Sequence, residues 1–466
     1  MSNRIAAKWI IFFILIQISF QQFVGVNAWS RIALLFSLTE DHSFRIDPYI
    51  DKTIDWAKTP NGHFYSNKPP GPAFMAYPFY APADFLLTSH LDSRVARDEA
   101  RFAQVFNLQT LLSVLFQMAP FLFLFAVTLQ LLEKEKVSKD ALEITSLSML
   151  FGNTAVVFMN SFFGHAVSAW ILLGSFLALL YQRYRWFGFL FGWAVLTDYS
   201  SIILLFPSLW ILTRDSDTRW HLLYYRIVQG ALLPLFLWIV YHSQSFGSPF
   251  AIAHQFQNPI FVDVSDKSLF GIFHIFPKPK ILFELLFGYR RGILWTQPWV
   301  FLVLIFGISH CRVNFKRPGD PKSTIQLLLP FSIGSFILLL LVNSAFGGWH
   351  GGGSAGPRYL SGVFPLLGLS LGLLYDSLGP GWKKTAWITA ILSALFTLVA
   401  LSISVTPPQE LPLWPYYFHR ILHDFTPSMA LRLAIGLSLL FVILCRLRLK
   451  SSQFFRHFFT RAADNC

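Results

Sequence analysis

The 466-residue chain is 54% hydrophobic and 17% aromatic but only 13% charged, with a mean hydropathy of +0.51. That composition excludes an ordinary soluble domain and describes an all-α polytopic membrane protein. The net charge of +13 does not mark a nucleic-acid binder, because the basic residues fall mostly in short links between apolar runs, where the positive-inside bias places them.

The chain opens MSNRIAAKWIIFFILIQISFQQFVGVNA. A basic start, an apolar core and Val-Asn-Ala ending at Ala28 have the form of a signal peptide, yet the apolar stretch, at about 18 residues, is long enough to cross a bilayer. Spanning-length runs lie near 8–26, 105–132, 141–159, 161–181, 222–243, 292–310, 324–345, 359–378, 385–404 and 428–446. The run 186–213 is read as two short helices divided at TDYSS, 197–201, because a single helix would place the basic links CRVNFKRPGDPK and GPGWKK outside. The division also brings Asp198 and Tyr199 to the outer surface, sparing the cost of a carboxylate at mid-bilayer.

About twelve passages follow, with both termini in the cytoplasm. Residues 1–404 are expected to form the main transmembrane region with its external loop 27–104, and 405–466 to add an external loop, the last helix and a basic cytoplasmic tail. Within the first loop SRIALLFSLTED predicts an amphipathic helix with Ile32, Leu35 and Phe36 on one face. The three cysteines, Cys311, Cys445 and Cys466, fall at or beyond cytoplasmic helix ends, so no disulfide is expected.

Seven cations break the charge rule. Lys68, Lys278, Lys280, Arg290, Arg291, Arg358 and Arg420 fall on the outer side among glycines, prolines and aromatics. A phosphate-bearing lipid offers such groups a common partner, its tail remaining in hydrocarbon. The same loop carries nine acids, among them Asp41, Asp47 and Asp55, and a carboxylate opposite a phosphate-binding cation is what group transfer from a phosphate ester requires. Most of these acids are expected to cap helices or face water, as at Asp92 or Ser93 before RVARDEARF. No spacing of His and Cys suggests a metal, and DSD at 215–217 reads as a solvated turn.

In order, GHFYSNKPPG, FFGH, GWAVLTDY, SFGSPF, LLFGYRRGILWTQP and GPRYLSGVFP make residues 8–380 resemble the GT-C superfamily of membrane glycosyltransferases, near its protein O-mannosyltransferase and lipid A aminoarabinose transferase branch. The resemblance implies a GT-C-like bundle in the plasma (inner) membrane. It implies transfer of a hexose or similar sugar from a polyprenyl-phosphate donor to a hydroxyl of a glycan, lipid or protein acceptor on the outer face, with no cofactor. It matches Lys68-Pro69 to the Lys that contacts the donor phosphate. Arg358, Arg290 and Arg291 are further phosphate candidates by placement, and His63, Tyr65, His165, Asp198, Tyr199 and His350 are candidates for orienting substrate. The family's catalytic Asp after the first helix is replaced by Asn27, which leaves Asp55, Asp47 or Asp41 to act as base. A twelve-helix transporter or flippase is the alternative, and transporters favour repeated halves and midplane polar residues; a non-catalytic member of the fold is another.

Overall fold

A computed structural model describes residues 1–212, 220–261, 273–314 and 324–448; the DSD turn lies outside them. The helices are α1 (Ser2–Ser19), α2 (Val26–Glu40), α3 (Gly71–Thr88), α4 (Arg94–Ser113), α5 (Ala119–Lys134), α6 (Lys139–Leu150), α7 (Thr154–Val157), α8 (Gly164–Leu180), α9 (Tyr184–Thr197) and α10 (Leu205–Leu212). They continue as α11 (Trp220–Phe246), α12 (Pro279–Phe287), α13 (Ile293–Thr296), α14 (Trp299–Asn314), α15 (Thr324–Ala345), α16 (Phe364–Tyr375), α17 (Pro380–Ile403), α18 (Leu413–His423) and α19 (Pro427–Arg448). The two strands are β1 (Trp56–Lys58) and β2 (Phe64–Ser66), one short antiparallel hairpin in the first loop.

The protein is a multi-pass bundle. Among the described residues six helical stretches are long and apolar enough to cross a membrane, seven if the pair α18 and α19, bent by 120°, is one span. The shorter apolar helices 164–180, 199–212 and 299–311 bring the candidates among the described residues to at most ten, below the twelve expected. The larger apolar cluster of the core runs from Trp9 and Phe13 through Phe121, Leu147, Phe176 and Leu366 to Leu401, and a second one gathers Ile32, Phe36, Tyr49, Tyr65 and Tyr241 around the first loop.

The segment 184–246 shows how local chemistry sets the path. Gly188 and Gly192 of α9 and Gly230 of α11 let two helices touch backbone to backbone: a Cβ on Gly188 would lie 2.0 Å from the Ile227 carbonyl, and one on Gly230 1.9 Å from that of Arg185. Small residues at four-residue spacing permit such approach in membranes. The contacts advance together, 188 beside 227 and 192 beside 234, so α9 and α11 run parallel. The chain between them must therefore return, and it does so through a 3₁₀ turn at Tyr199–Leu204 and α10. The division expected at 197–201 falls where α9 ends, at Asp198.

Three runs depart from their expected bounds. The span read at 105–132 is the latter part of helical structure from Arg94 to Lys134, interrupted by a π-helical turn at Val114–Met118. The run 141–159 stops at Leu150, and a four-residue helix follows that Asn153 caps. The first helix ends at Ser19, short of residue 26, and α2 begins there with Ile32, Leu35 and Phe36 all buried.

Candidate functional site

The Lys68 loop is built by turn chemistry. Gly62 sits at φ +89°, a left-handed conformation that favours glycine, and reverses the chain so that Ala57 pairs with Tyr65. After Ser66, Pro69 and Pro70 bring no N–H and end the strand, while Pro72 in the first turn of α3 loses no helical hydrogen bond. Gly71 docks against the end of α9 so closely that a Cβ would lie 2.8 Å from the Leu196 carbonyl. Lys68 is thereby carried to the end of α9 that bears Asp198.

Asp55, just before β1, is fixed on both sides of its peptide. Its N–H donates to Thr53 Oγ1 (3.0 Å), and its carbonyl accepts from Ser30 Oγ (2.5 Å), which also bonds Ser66 (2.7 Å). The carboxylate faces Lys68, with Nζ to Oδ1 at 2.9 Å. Burial raises the Asp55 carboxyl, but Lys68, Arg358 and Arg31 override it and hold it below the ordinary carboxylate range. Burial lowers Lys68, and Asp55 offsets this only in part because Arg358 and Arg31 add like charge. The lysine has one carboxylate beside it against two like charges.

Arg31 supplies a second cation. It lies on α2, is 3% exposed and donates to the Asn27 carbonyl (3.0 Å) and side chain. Burial depresses it to about 10 despite the attraction of Asp55. Its guanidinium lies 5.8 Å from the Phe163 ring centre and that of Arg358 lies 5.3 Å from the same ring, so two like charges share one aromatic face. FFGH forms this wall. Phe162 adopts φ 49°, a strained conformation for a bulky residue, and is held there because Phe162 N–H donates to Ser113 Oγ and Phe163 N–H to Gln117 Oε1. Gly164 leaves room for Arg31, whose Nη2 would meet a Cβ there at 2.6 Å.

His165, next in the motif, hydrogen-bonds through Nδ1 to Asp198 Oδ2 at 2.8 Å. Asp198 Oδ1 accepts from Ser200 N–H (3.2 Å) and Oγ (2.7 Å), so it also caps the 3₁₀ turn. Tyr199 lines the same cavity, with its hydroxyl 3.0 Å from His242 Nε2.

These groups surround one cavity of about 520 Å³. Its polar end holds Asn27, Arg31, Lys68, His165, Asp198 and Arg358, and its apolar walls come from Ile202, Ile203, Leu235, Trp238, Leu339 and Val342. Three cations face two carboxylates, Asp55 and Asp198. Several buried polar atoms at the cavity have no hydrogen-bond partner among the described residues: Nε of Arg31 and of Arg358, Thr197 Oγ1, both side-chain atoms of Asn343, and His254 Nδ1. Such atoms are rare in a finished core. Burial first, then Lys68, depress His254 to about 4, which keeps it neutral. No group of three or more His, Cys, Asp or Glu among the described residues is placed to hold a metal.

The other candidates lie apart from the cavity. Asp41 is engaged by Arg94 in two bonds of 2.6 and 3.0 Å. Asp47 accepts from the Phe64 N–H and sits 3.5 Å from His63 on the hairpin's outer side. Tyr65 is buried against Phe246. Arg291 is fully buried, and its N–H groups go to the carbonyls of Arg290, Gly352, Pro407, Pro408 and Leu411. It ties the loop 405–412 to the bundle and has few donors left for a phosphate. Arg290 is exposed outside the cavity lining. His350 accepts from Gly352 N–H at 2.9 Å beside that tie and is depressed by burial to about 4.

Sequence reasoning missed Arg31, Thr197, His254 and Asn343. For Arg31 a signal existed: an arginine on the apolar stripe of an amphipathic helix, one turn after Asn27, calls for a buried partner.

No protein-family model matches the chain, and no curated protein matches it. Among solved structures, the crystal structure of ArnT from Cupriavidus metallidurans in the apo state is similar, with 14% sequence identity, 94% of this chain and 77% of that chain covered, and a TM-score of 0.48. That degree of likeness assigns neither a fold family nor an activity.

Proposed function

We propose that this protein is a membrane glycosyltransferase of the GT-C type, moving a sugar from a polyprenyl-phosphate donor to an acceptor hydroxyl at the outer face of the plasma membrane. The observation that carries the reading is the cavity's division: three cations at one end, the buried Arg31 and the part-buried Lys68 and Arg358, with an unpartnered Nε on each arginine, and apolar walls from α11, α15 and the 199–204 turn leading away from them. A phosphodiester matches this division. Its single negative charge balances the one positive charge in excess, its oxygens suit Lys68, Arg31 and Arg358, and its tail suits the aliphatic walls. The rings of Trp238, Phe346 and Tyr359 offer flat apolar faces to a sugar.

In this reading the cations do their work as the phosphate leaves. The glycosyl phosphate carries one charge, the departing polyprenyl phosphate nearly two, and fixed cations in a water-poor site favour the second state over the first. Lys68 is counter-balanced in the free protein by Asp55 and is released to the incoming phosphate when the donor binds.

The test is binding and turnover of short-chain polyprenyl-phosphate mannose, glucose and aminoarabinose by purified protein, scoring donor hydrolysis and transfer. Binding that vanishes in Lys68→Ala is the expected result; equal binding by the variant removes the lysine from the site. The outward orientation is tested by a cysteine at the exposed Asn61, expected to be labelled in intact cells by a membrane-impermeant thiol reagent.

A further inference from the structure

The structure shows an acid held by a lysine behind the cavity's lining and, on the lining itself, an imidazole held by an acid. Asp55 is engaged at 2.9 Å by Lys68 and depressed by three cations, which makes it a weak acceptor for a hydroxyl proton. His165 is held instead by an acid, and through one ring nitrogen only. Its Nδ1 is tied to Asp198 at 2.8 Å, Asp198 is fixed by Ser200, and both side chains line the cavity. Among the described residues no group hydrogen-bonds Nε2. The ring is clamped edge-on to Tyr359, with centroids 5.1 Å apart.

We infer that His165 is the general base of the transfer reaction, with Asp198 as its positioning residue; this rests on the glycosyltransferase reading above. An Nδ1–H donated to Asp198 leaves the Nε2 lone pair facing the cavity. The acceptor hydroxyl, or water when the donor is hydrolysed, gives its proton to Nε2 as its oxygen bonds to the anomeric carbon. The bond from that carbon to the phosphate oxygen breaks, and its electron pair leaves with polyprenyl phosphate, which Lys68, Arg31 and Arg358 hold. Asp198 balances the imidazolium so formed. The charged groups around the ring are Asp198 from the end of α9, Arg31 from α2 and Arg358 from the turn before α16.

This assignment also accounts for Asn27. A chain whose proton acceptor is an imidazole on α8 needs no carboxylate after its first helix, and Asn27 is instead the hydrogen-bond partner that aims Arg31.

The experiment uses the full chain and polyprenyl-phosphate mannose and glucose, with donor binding, hydrolysis and transfer measured separately. His165→Gln is expected to bind donor within threefold of wild type while kcat falls ~10²–10⁴-fold. Asp198→Asn is expected to lower kcat ~10²-fold or more with little change in KM. In ¹⁵N-histidine-labelled wild type, His165 is expected as the Nδ1–H tautomer, switching in Asp198→Asn. A kcat within tenfold of wild type for His165→Gln, or an Nε2–H tautomer in the wild type, overturns the assignment while Lys68-dependent donor binding leaves the glycosyltransferase reading standing. Absence of any Lys68-dependent donor binding overturns both.

Discussion

Two charged clusters draw on the same first loop, the second joined by Arg358 from far along the chain, and have opposite character. In the first, Arg94, Arg97 and Arg101 of α4 meet Glu40, Asp41, Asp84 and Asp98: Arg101 alone reaches Asp84 at 2.6 Å, Glu40 at 2.7 Å and Asp98 at 3.0 Å. Tyr49 and Tyr80 complete it by donating to Asp98 and Asp84. In the second, around the cavity, Lys68 has one carboxylate, while Arg31 and Arg358 keep vacant donors. A satisfied network braces the loop. An unsatisfied one waits for an anion, since buried charge without a full complement of partners is costly.

The contrast breaks most visibly at Lys68. Lys68→Ala is expected to reduce donor binding and transfer by at least ~10²-fold, about 3 kcal/mol, by analogy with the loss of one electrostatic group at a reacting centre; isothermal titration and transfer assays measure it. Arg101→Met should do the reverse, lowering stability by ~3–5 kcal/mol because three carboxylates lose their shared partner, with transfer per folded molecule unchanged. Thermal unfolding of the purified protein reads the first quantity, and an equal loss of turnover per folded molecule would show that the networks are one.

Smaller effects sharpen the distinction. Arg31→Met is expected to weaken donor binding ~10-fold or more, since a charged hydrogen bond contributes ~1.5–3 kcal/mol. Acid should strike the bracing network first. The bonds from Arg97, then those from Arg101, depress Glu40 to about 2 against an ordinary value near 4.5, so its contribution is complete above pH 4.5 and is lost as pH falls from there towards 2. Proteolysis of the loop between pH 5 and 3 follows this loss. Asp41→Asn should matter least, by ~1 kcal/mol or less because its pair with Arg94 is partly exposed, and transfer should stay within twofold; a large kinetic loss would return Asp41 to the site.

Much of the fold was legible. The break at Asp198 followed from loop charge alone, and the parallel packing of α9 on α11 through Gly188, Gly192 and Gly230 gives it a structural reason. Of the candidate site residues, Lys68, His165, Asp198 and Arg358 converge with Tyr199 on the cavity, and Asp55 stands behind Lys68. Arg291 shows the limit: an arginine at a loop among aromatics reads as an anion site, yet four carbonyls from two distant loops, with that of Arg290, take the donors of its Nη groups.

The sequence by itself determined the membrane class, the break at Asp198 and the need for each buried charge to find a partner, because hydropathy, proline and glycine act over a few residues. Tertiary structure alone decided which partner each charge found. Arg31 and Arg358 share a ring of α8's entry turn, and Asp55 was allotted to Lys68 instead of remaining a free base. Electrostatic interaction depends on distance in space and on burial, and neither is written in the spacing of residues along the chain.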